Sequence, residues 1–369
     1  MNRPFQHSSA KPMWLGAILL SIFIFYSCSA SACLVATDYS GIDIGDQVNA
    51  AYLKLPMYTD KNNQPPWPAG CIQIPYNSNG YNDATTIKIN SPFVSLIADL
   101  GTVVYYTGSG DFIRIQQSPR STDNHTFQPA QSTQIVNLNI TNLSPTYPSG
   151  VATGVSGIHA GDMYGITLRN VSISGFNQGN NSTNGICTNS TAAAIWFDNE
   201  STFTEGLDLD HVNTYDNCIG IRYTVNNGQP IPTGSFITDS FGYGEFRRVV
   251  LGLRDNETGV SVEEGAYLYH QNWSFVTEAN VLTAVGMKLK NVNSTFGGAA
   301  AGQTGGDNWI DWRVECPGCG GKMTYLQMDS GTIFRAAGLI TALNQAVLSP
   351  SNPPNFKFLG TNDTTATQQ

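Results

Sequence analysis

The chain has 369 residues, 41% hydrophobic and only 12% charged, with 18 basic residues against 27 acidic ones. Such an acidic balance excludes nucleic acid as a natural partner and opposes unassisted binding of polyanions, because the long-range field repels them. A neutral glycan, or an acidic one bridged by Ca2+, fits that charge.

Arg3 and Lys11 precede an apolar run from Leu15 to Phe25, and Ala30-Ser-Ala32 supplies a small-residue cleavage pattern. Residues 1–32 therefore read as a secretory signal peptide. Its removal deletes two basic residues and no acid, leaving 16 basic residues against 27 acidic and a net charge of -11. Ala30 stands three before Cys33, where lipidation needs an aliphatic residue. No later segment is apolar enough to span a bilayer. The expected location is extracellular, with periplasm or cell surface as variants.

Asp43-Ile-Gly-Asp46 opens the first periodic segment. Ile44, Val48, Ala51 or Tyr52, and Leu55 recur at helical spacing, Asp43 suits the N-cap, Asp46 suits the positive helix end, and Pro56 stops the run. The pattern predicts a helix over 43–55. A proline-rich loop, Gln64 to Pro68, then leads into Gly70-Cys-Ile-Gln-Ile-Pro75, which alternates like a strand.

From there to about residue 340 the chain reads as short strands. Apolar-polar-apolar triplets recur at Ile87, Ile113, Leu138, Ile166, Ile195, Ile219, Leu251, Met287 and Ile310, with a loose spacing. A sharper unit ends in Asn or His before another apolar residue: Leu138 to Asn142, Ile166 to Asn170, Leu207 to His211 and Met287 to Asn291. Asn tolerates the left-handed backbone region, so it can turn a strand sharply into the next one. Coils of roughly 20 to 30 residues, each unable to bury its apolar face alone, stack into a parallel β-helix. The expected fold is all-β: a single-stranded right-handed parallel β-helix over 33–348 with an N-terminal amphipathic capping helix. Exposed ends of such a stack need covers; the 43–55 helix fits one, and residues 333–348 the other. Residues 349–369 read as a partly disordered tail.

Six cysteines follow the signal, an even number that favours disulfides but leaves fifteen connectivities open. Cys187 and Cys218 stand about one coil apart and are the expected pair. Cys316-Pro-Gly-Cys319 has no second C-x-x-C and no nearby His, so a local bridge fits better than zinc.

The D-x-x-x-x-x-x-A-A helix with its proline stop, the Gly70-Cys-Ile-Gln-Ile-Pro75 strand and the asparagine turns resemble the pectin-lyase-like right-handed β-helix superfamily. That superfamily holds pectate lyases, polygalacturonases and phage tailspikes. Gly157 to Phe176 looks most like its tailspike-like and uncharacterised secreted members. The resemblance covers most of 40–340 and implies a polysaccharide partner engaged in a lateral groove, with homotrimers as one compatible assembly.

Asp216-Asn-Cys-Ile-Gly-Ile221 is similar to the D-D-C-x-A-I segment of polygalacturonases, but Asn217 replaces the second acid, and the other hydrolase motifs are missing. Inverting hydrolysis needs two carboxyl groups in separate roles. A pectate-type lyase would hold Ca2+ on carboxylates and take a proton with a basic side chain. Asp208, Asp210 and Asp216 could supply oxygens, with Asp208 and Asp210 as the metal pair and Arg222 or His211 as the base. The expected catalytic set is therefore Asp216, Arg222, Asp210 and His211. A wet strand face explains Asp208 and Asp210 equally well, and the turn series explains His211. His159 lies between glycines that read as a tight loop, and Glu263 and Glu264 point to opposite strand faces. Trp309, Trp312 and Tyr223 are candidate substrate-binding rings, at most one of the two tryptophans facing a given side. Twelve N-x-S/T sequons occur, but the turn pattern itself generates those at Asn142 and Asn170. The expected function is cleavage or binding of an extracellular glycan by a lyase or glycosidase; the alternative is a non-catalytic carbohydrate-binding or surface adhesion protein.

Overall fold

The structure, a computed structural model, describes residues 32–59, 66–116, 133–143, 155–162, 164–177, 187, 191–199, 205–225, 246–263, 274–277, 284–290, 324–328 and 355–358. Cys33–Gln369 forms one compact unit, separate from Met1–Ala32. Its described residues are all-β apart from one α-helix and one short 3-10 turn.

The strands fall into three strips. The first holds β1 (Leu34–Val35), β3 (Trp67–Ile74), β6 (Phe93–Ala98), β9 (Thr133–Val136) and the opening halves of β12 (Tyr164–Ser174), β14 (Glu205–Tyr215) and β16 (Phe246–Leu253). The second holds β4 (Tyr81–Asp83), β7 (Val103–Tyr106), β10 (Asn139–Asn142), the closing halves of β12, β14 and β16, and β18 (Ser274–Thr277). The third holds β5 (Ile87–Ile89), β8 (Ile113–Gln116), β11 (Ser156–Gly161), β13 (Ala193–Asn199), β15 (Ile219–Val225), β17 (Thr258–Glu263), β19 (Val285–Lys290), β20 (Thr324–Met328) and β21 (Asn355–Phe358). The chain visits the strips in turn, and each strand pairs in parallel with its counterpart one round earlier. The short β2 (Met57–Tyr58) is the exception, running antiparallel to β3.

Alternation explains the packing. In β6, Val94, Leu96 and Ala98 point inward, as Ile113 and Ile115 do in β8, and they join one core with residues of all three strips. One round consumes between 23 residues, Tyr81 pairing with Val104, and 45, Ile113 pairing with Ile158. The loose sequence period is thereby corrected. Ile87, Ile113 and Ile195 belong to the third strip, Ile166 to the first and Leu251 to the second, so the series mixed strips, while Ile310 lies outside the described residues.

The corner between the first two strips is a column of left-handed residues: Asn137, Asn170, His211 and Arg248, with φ of 61°, 52°, 56° and 54°. The strand register aligns Asn170 with His211 and His211 with Arg248. The expected turns at Asn170 and His211 are present. Asn142 is not one of them; it is the last residue of β10, and Asn137 makes that round's bend. Asn291 lies outside the described residues.

Helix α1 (Ile44–Tyr52) starts where Asp43 accepts a hydrogen bond from the Asp46 N–H at 2.9 Å. It buries Ile44, Val48 and Ala51 against the end of the core. Its Asn49 also completes the last strand of the third strip: Nδ2 donates to Thr86 O at 2.9 Å, and Oδ1 accepts from Lys88 N at 2.8 Å. The side-chain amide thus takes the place of a further strand, leaving that edge unable to recruit another chain. At the opposite end of this strip, β21 pairs with β20, so part of the expected tail is a strand. Residues 333–348 lie outside the described residues.

Two disulfides form, Cys187–Cys218 as expected and Cys33–Cys71, which pins the first strand region to β3. Cys316 and Cys319 lie outside the described residues. Among the described residues no helix is long and apolar enough to cross a membrane. The disulfides fit an extracellular or otherwise oxidising setting.

Candidate functional site, a charged row on the first strip

Asp208 and Asp210 alternate with the buried Leu207 and Leu209 on β14, so both acids face outward. The register sets Thr167 beside Asp208, and places Asp210 between Arg169 and Arg247. Arg247 Nη2 also lies 3.9 Å from Asp208 Oδ1. The left-handed corner then sends His211 back toward its neighbour, with Nδ1 2.9 Å from Asp210 Oδ1. Arg248 contacts His211 Nε2 from the next strand. A guanidinium can only donate, so Nε2 is the acceptor and Nδ1 carries the proton directed at Asp210. The result is a partly exposed row of carboxylate, imidazole and guanidinium groups joined by ion pairs and hydrogen bonds.

This row holds three of the sequence candidates, Asp208, Asp210 and His211, but alters their roles. Nε2 of His211 is engaged by Arg248 rather than open to a substrate. Asp208 and Asp210 are joined to Arg247 and His211, and among the described residues no three His, Cys, Asp or Glu side chains gather as metal ligands. Two carboxylates fall short of the six to eight oxygens that Ca2+ takes.

Asp216 sits elsewhere, at a second left-handed corner with φ 58°, and its Oδ1 accepts from Arg254 Nη1 at 2.9 Å. Its neighbour Asn217 is structural. The buried amide donates to Ile173 O and Tyr215 O, and accepts from Phe176 N. Arg222 is not the partner of Asp216. It belongs to the third strip, 5% exposed, with its guanidinium carbon 4.5 Å from the Trp196 ring centroid.

In its middle strands, β11, β13 and β15, the third strip is buried on its outer side as well as its inner one. His159, Trp196 and Arg222 stand in register, and the His159 and Trp196 rings stack at 3.8 Å. His159 Nδ1 meets Asp111 Oδ2 at 2.7 Å, while Ser156 Oγ donates to Asp111 Oδ1 at 2.7 Å. Burial raises the Asp111 carboxyl, but those hydrogen bonds and the charges of His159 and Arg114 outweigh it, so its pKa lies below the usual value. Trp196 Nε1 donates to Thr224 Oγ1, which donates to Asp198 Oδ1. His159 is therefore part of a strand and a buried network, not of a tight loop. Gly157 is glycine for a packing reason, since a Cβ there would stand 2.6 Å from Ile173 Cγ2.

Tyr223, a candidate binding ring, is wholly buried against Phe197, so it offers no surface to a ligand. Its inward position follows from β15 alternation with Arg222 outward. Trp309, Trp312 and Glu264 lie outside the described residues. Sequence reading missed Arg169, Arg247, Arg248 and Arg254. Their relevance comes from pairing across strands 37 to 41 positions apart, and no local motif marks it.

No family model matches the chain, and no curated protein matches it. A solved structure, Geobacillus virus E2 ORF18, is similar to 89% of this chain with 11% identity and a TM-score of 0.38, a likeness too low to carry an argument. The chain spans 60% of that protein's length.

Proposed function

We propose that the chain is a secreted right-handed parallel β-helix of the pectin-lyase-like type that engages an extracellular polysaccharide on its lateral surface. The three-strip course, the parallel register and the column of left-handed corners support the coil reading. The observation that carries the function is the partly exposed row of Asp208, Asp210, His211, Arg247 and Arg248. It concentrates paired hydrogen-bonding and acid-base groups on an outer strand face, with His211 and Arg248 also forming the left-handed corner. Sugar hydroxyls are met by such clusters, and a carboxylate joined to an imidazole is equipment for proton transfer. A non-catalytic glycan-binding or adhesion protein is the second reading, favoured by the engagement of His211 Nε2 with Arg248.

Incubation with neutral and acidic polysaccharides, with and without Ca2+, separates the two. New reducing ends indicate a hydrolase, absorbance from unsaturated uronates indicates a lyase, and retention without either indicates a binder. If cleavage occurs, Asp210→Asn is expected to lower kcat by at least about a hundredfold, the scale of a lost general acid or base. Retained cleavage in Asp210→Asn together with loss in Asp216→Asn moves the centre to the Asp216–Arg254 corner.

A further inference from the structure

The second strip differs from the first in carrying no charge on its outward column. Across the strands that column reads Asn82, Tyr105, Thr141, Ser174 and Tyr215, each in register with the next. The adjoining column reads Val103, Asn139, Ser172 and Asn213. All of these residues are half-buried or exposed, while Val104, Ile140 and Ile173 between them fill the core.

Both tyrosines rest on glycine. A Cβ on Gly80 would stand 2.5 Å from Tyr105 Cε2, and one on Gly252 would stand 2.8 Å from Tyr215 Cε1. Each ring therefore packs over a glycine where a side chain is missing; Tyr105 is half-buried and Tyr215 is 44% exposed. Between them, Ser174 Oγ and Thr141 Oγ1 are hydrogen-bonded at 3.3 Å. Three strand steps separate the two rings, a distance of about 14 Å. The strands of β7, β10, β12 and β14 are paired on both sides here, so a partner meets side chains and not a free backbone edge.

We infer that this uncharged strip binds a neutral polysaccharide lying across the strands, with sugar rings stacked on Tyr105 and Tyr215 and hydroxyls hydrogen-bonded to Thr141 and Ser174. The inference rests on the glycan reading above and adds the face and the class of sugar. Its chemistry is that of flat rings beside neutral donors and acceptors. An anionic glycan would find no cation on this column and would be repelled by the net acidic molecule.

The test is electrophoresis of the disulfide-intact protein through gels containing hydroxyethyl cellulose, soluble starch or polygalacturonate, followed by titration calorimetry with the retarding glycan. Retardation by a neutral glycan, unaffected by salt, is expected. Tyr105→Leu and Tyr215→Leu should each weaken it roughly three- to tenfold, the scale of one lost ring contact. Lys88→Ala, on the exposed face of β5 and away from both surfaces, should bind as the unmodified protein does, and unchanged melting curves show that the variants are folded. Undiminished neutral-glycan binding in both leucine variants overturns the inference. So does retardation by polygalacturonate alone that disappears in Arg247→Ala, an outcome that leaves the glycan reading standing. No retardation by any polysaccharide removes both.

Discussion

Asp83 is 2% exposed beside the N-cap of α1, and its Oδ2 meets no donor. Burial, together with the hydrogen bond and charge of Asp43, pushes its pKa up to about 8 despite the Thr85 N–H, so at neutral pH it keeps its proton for Asp43. For Asp43 burial also raises the pKa, but hydrogen bonds from Asp46 and Ala84, then Asp83 and Thr85, outweigh it and hold the carboxyl below its usual range. The folded state grips the Asp83 proton more tightly than the unfolded chain does. Its contribution is therefore complete below the ordinary carboxylate range and declines as pH rises through about 8. Melting temperatures measured from about pH 5 to about pH 9 should fall in the unmodified protein and fall less in Asp83→Asn; parallel slopes would show that Asp83 is not the titrating group. The left-handed corners are a second residue-scale feature. Asn170→Val should cost about 1–2 kcal/mol in denaturant unfolding, because φ of 52° crowds a β-branched side chain, whereas Asn170→Gly should cost less.

At the scale of elements, α1 closes the end of the third strip through Asn49. Asn49→Ala removes the partners of Thr86 O and Lys88 N and should lower stability by about 1–3 kcal/mol. It should also raise concentration-dependent association, visible in light scattering, because the β5 edge becomes available to another chain. Loss of stability without association would mean that α1 still shields the edge by position alone. The two exposed strips divide by chemistry. Arg169, Asp210 and Arg247 make a charged row on one, while Tyr105, Thr141, Ser174 and Tyr215 make a neutral column on the other.

In the whole molecule, each round of chain is secured mainly by the rounds before and after it, so covalent ties between rounds matter most where a connection is long. Cys187–Cys218 closes a 31-residue separation. Replacing both cysteines by serine should cost roughly 3 kcal/mol, read as a lower denaturant midpoint. The Cys33–Cys71 bridge, with a separation of 38, should matter to a similar degree by holding the first strand on β3. An unchanged midpoint in the Cys187/Cys218 double variant would show that packing alone fixes this region.

Local chemistry in the sequence determined the features that depend on neighbours along the chain. Asp43, the apolar spacing and Pro56 specified α1, and alternation specified the strands and their inward residues. The requirement for a left-handed residue marked Asn170 and His211 as corners. Only the tertiary structure decided what depends on the register between rounds, because connections of unequal length make one round consume anything from 23 to 45 residues. It gave Asp216 to Arg254 and set Arg222 on Trp196. It also drew Asp208, Asp210 and His211 together with arginines that no local pattern had singled out. A side chain's face follows from local alternation, whereas its partner follows from a strand one round away.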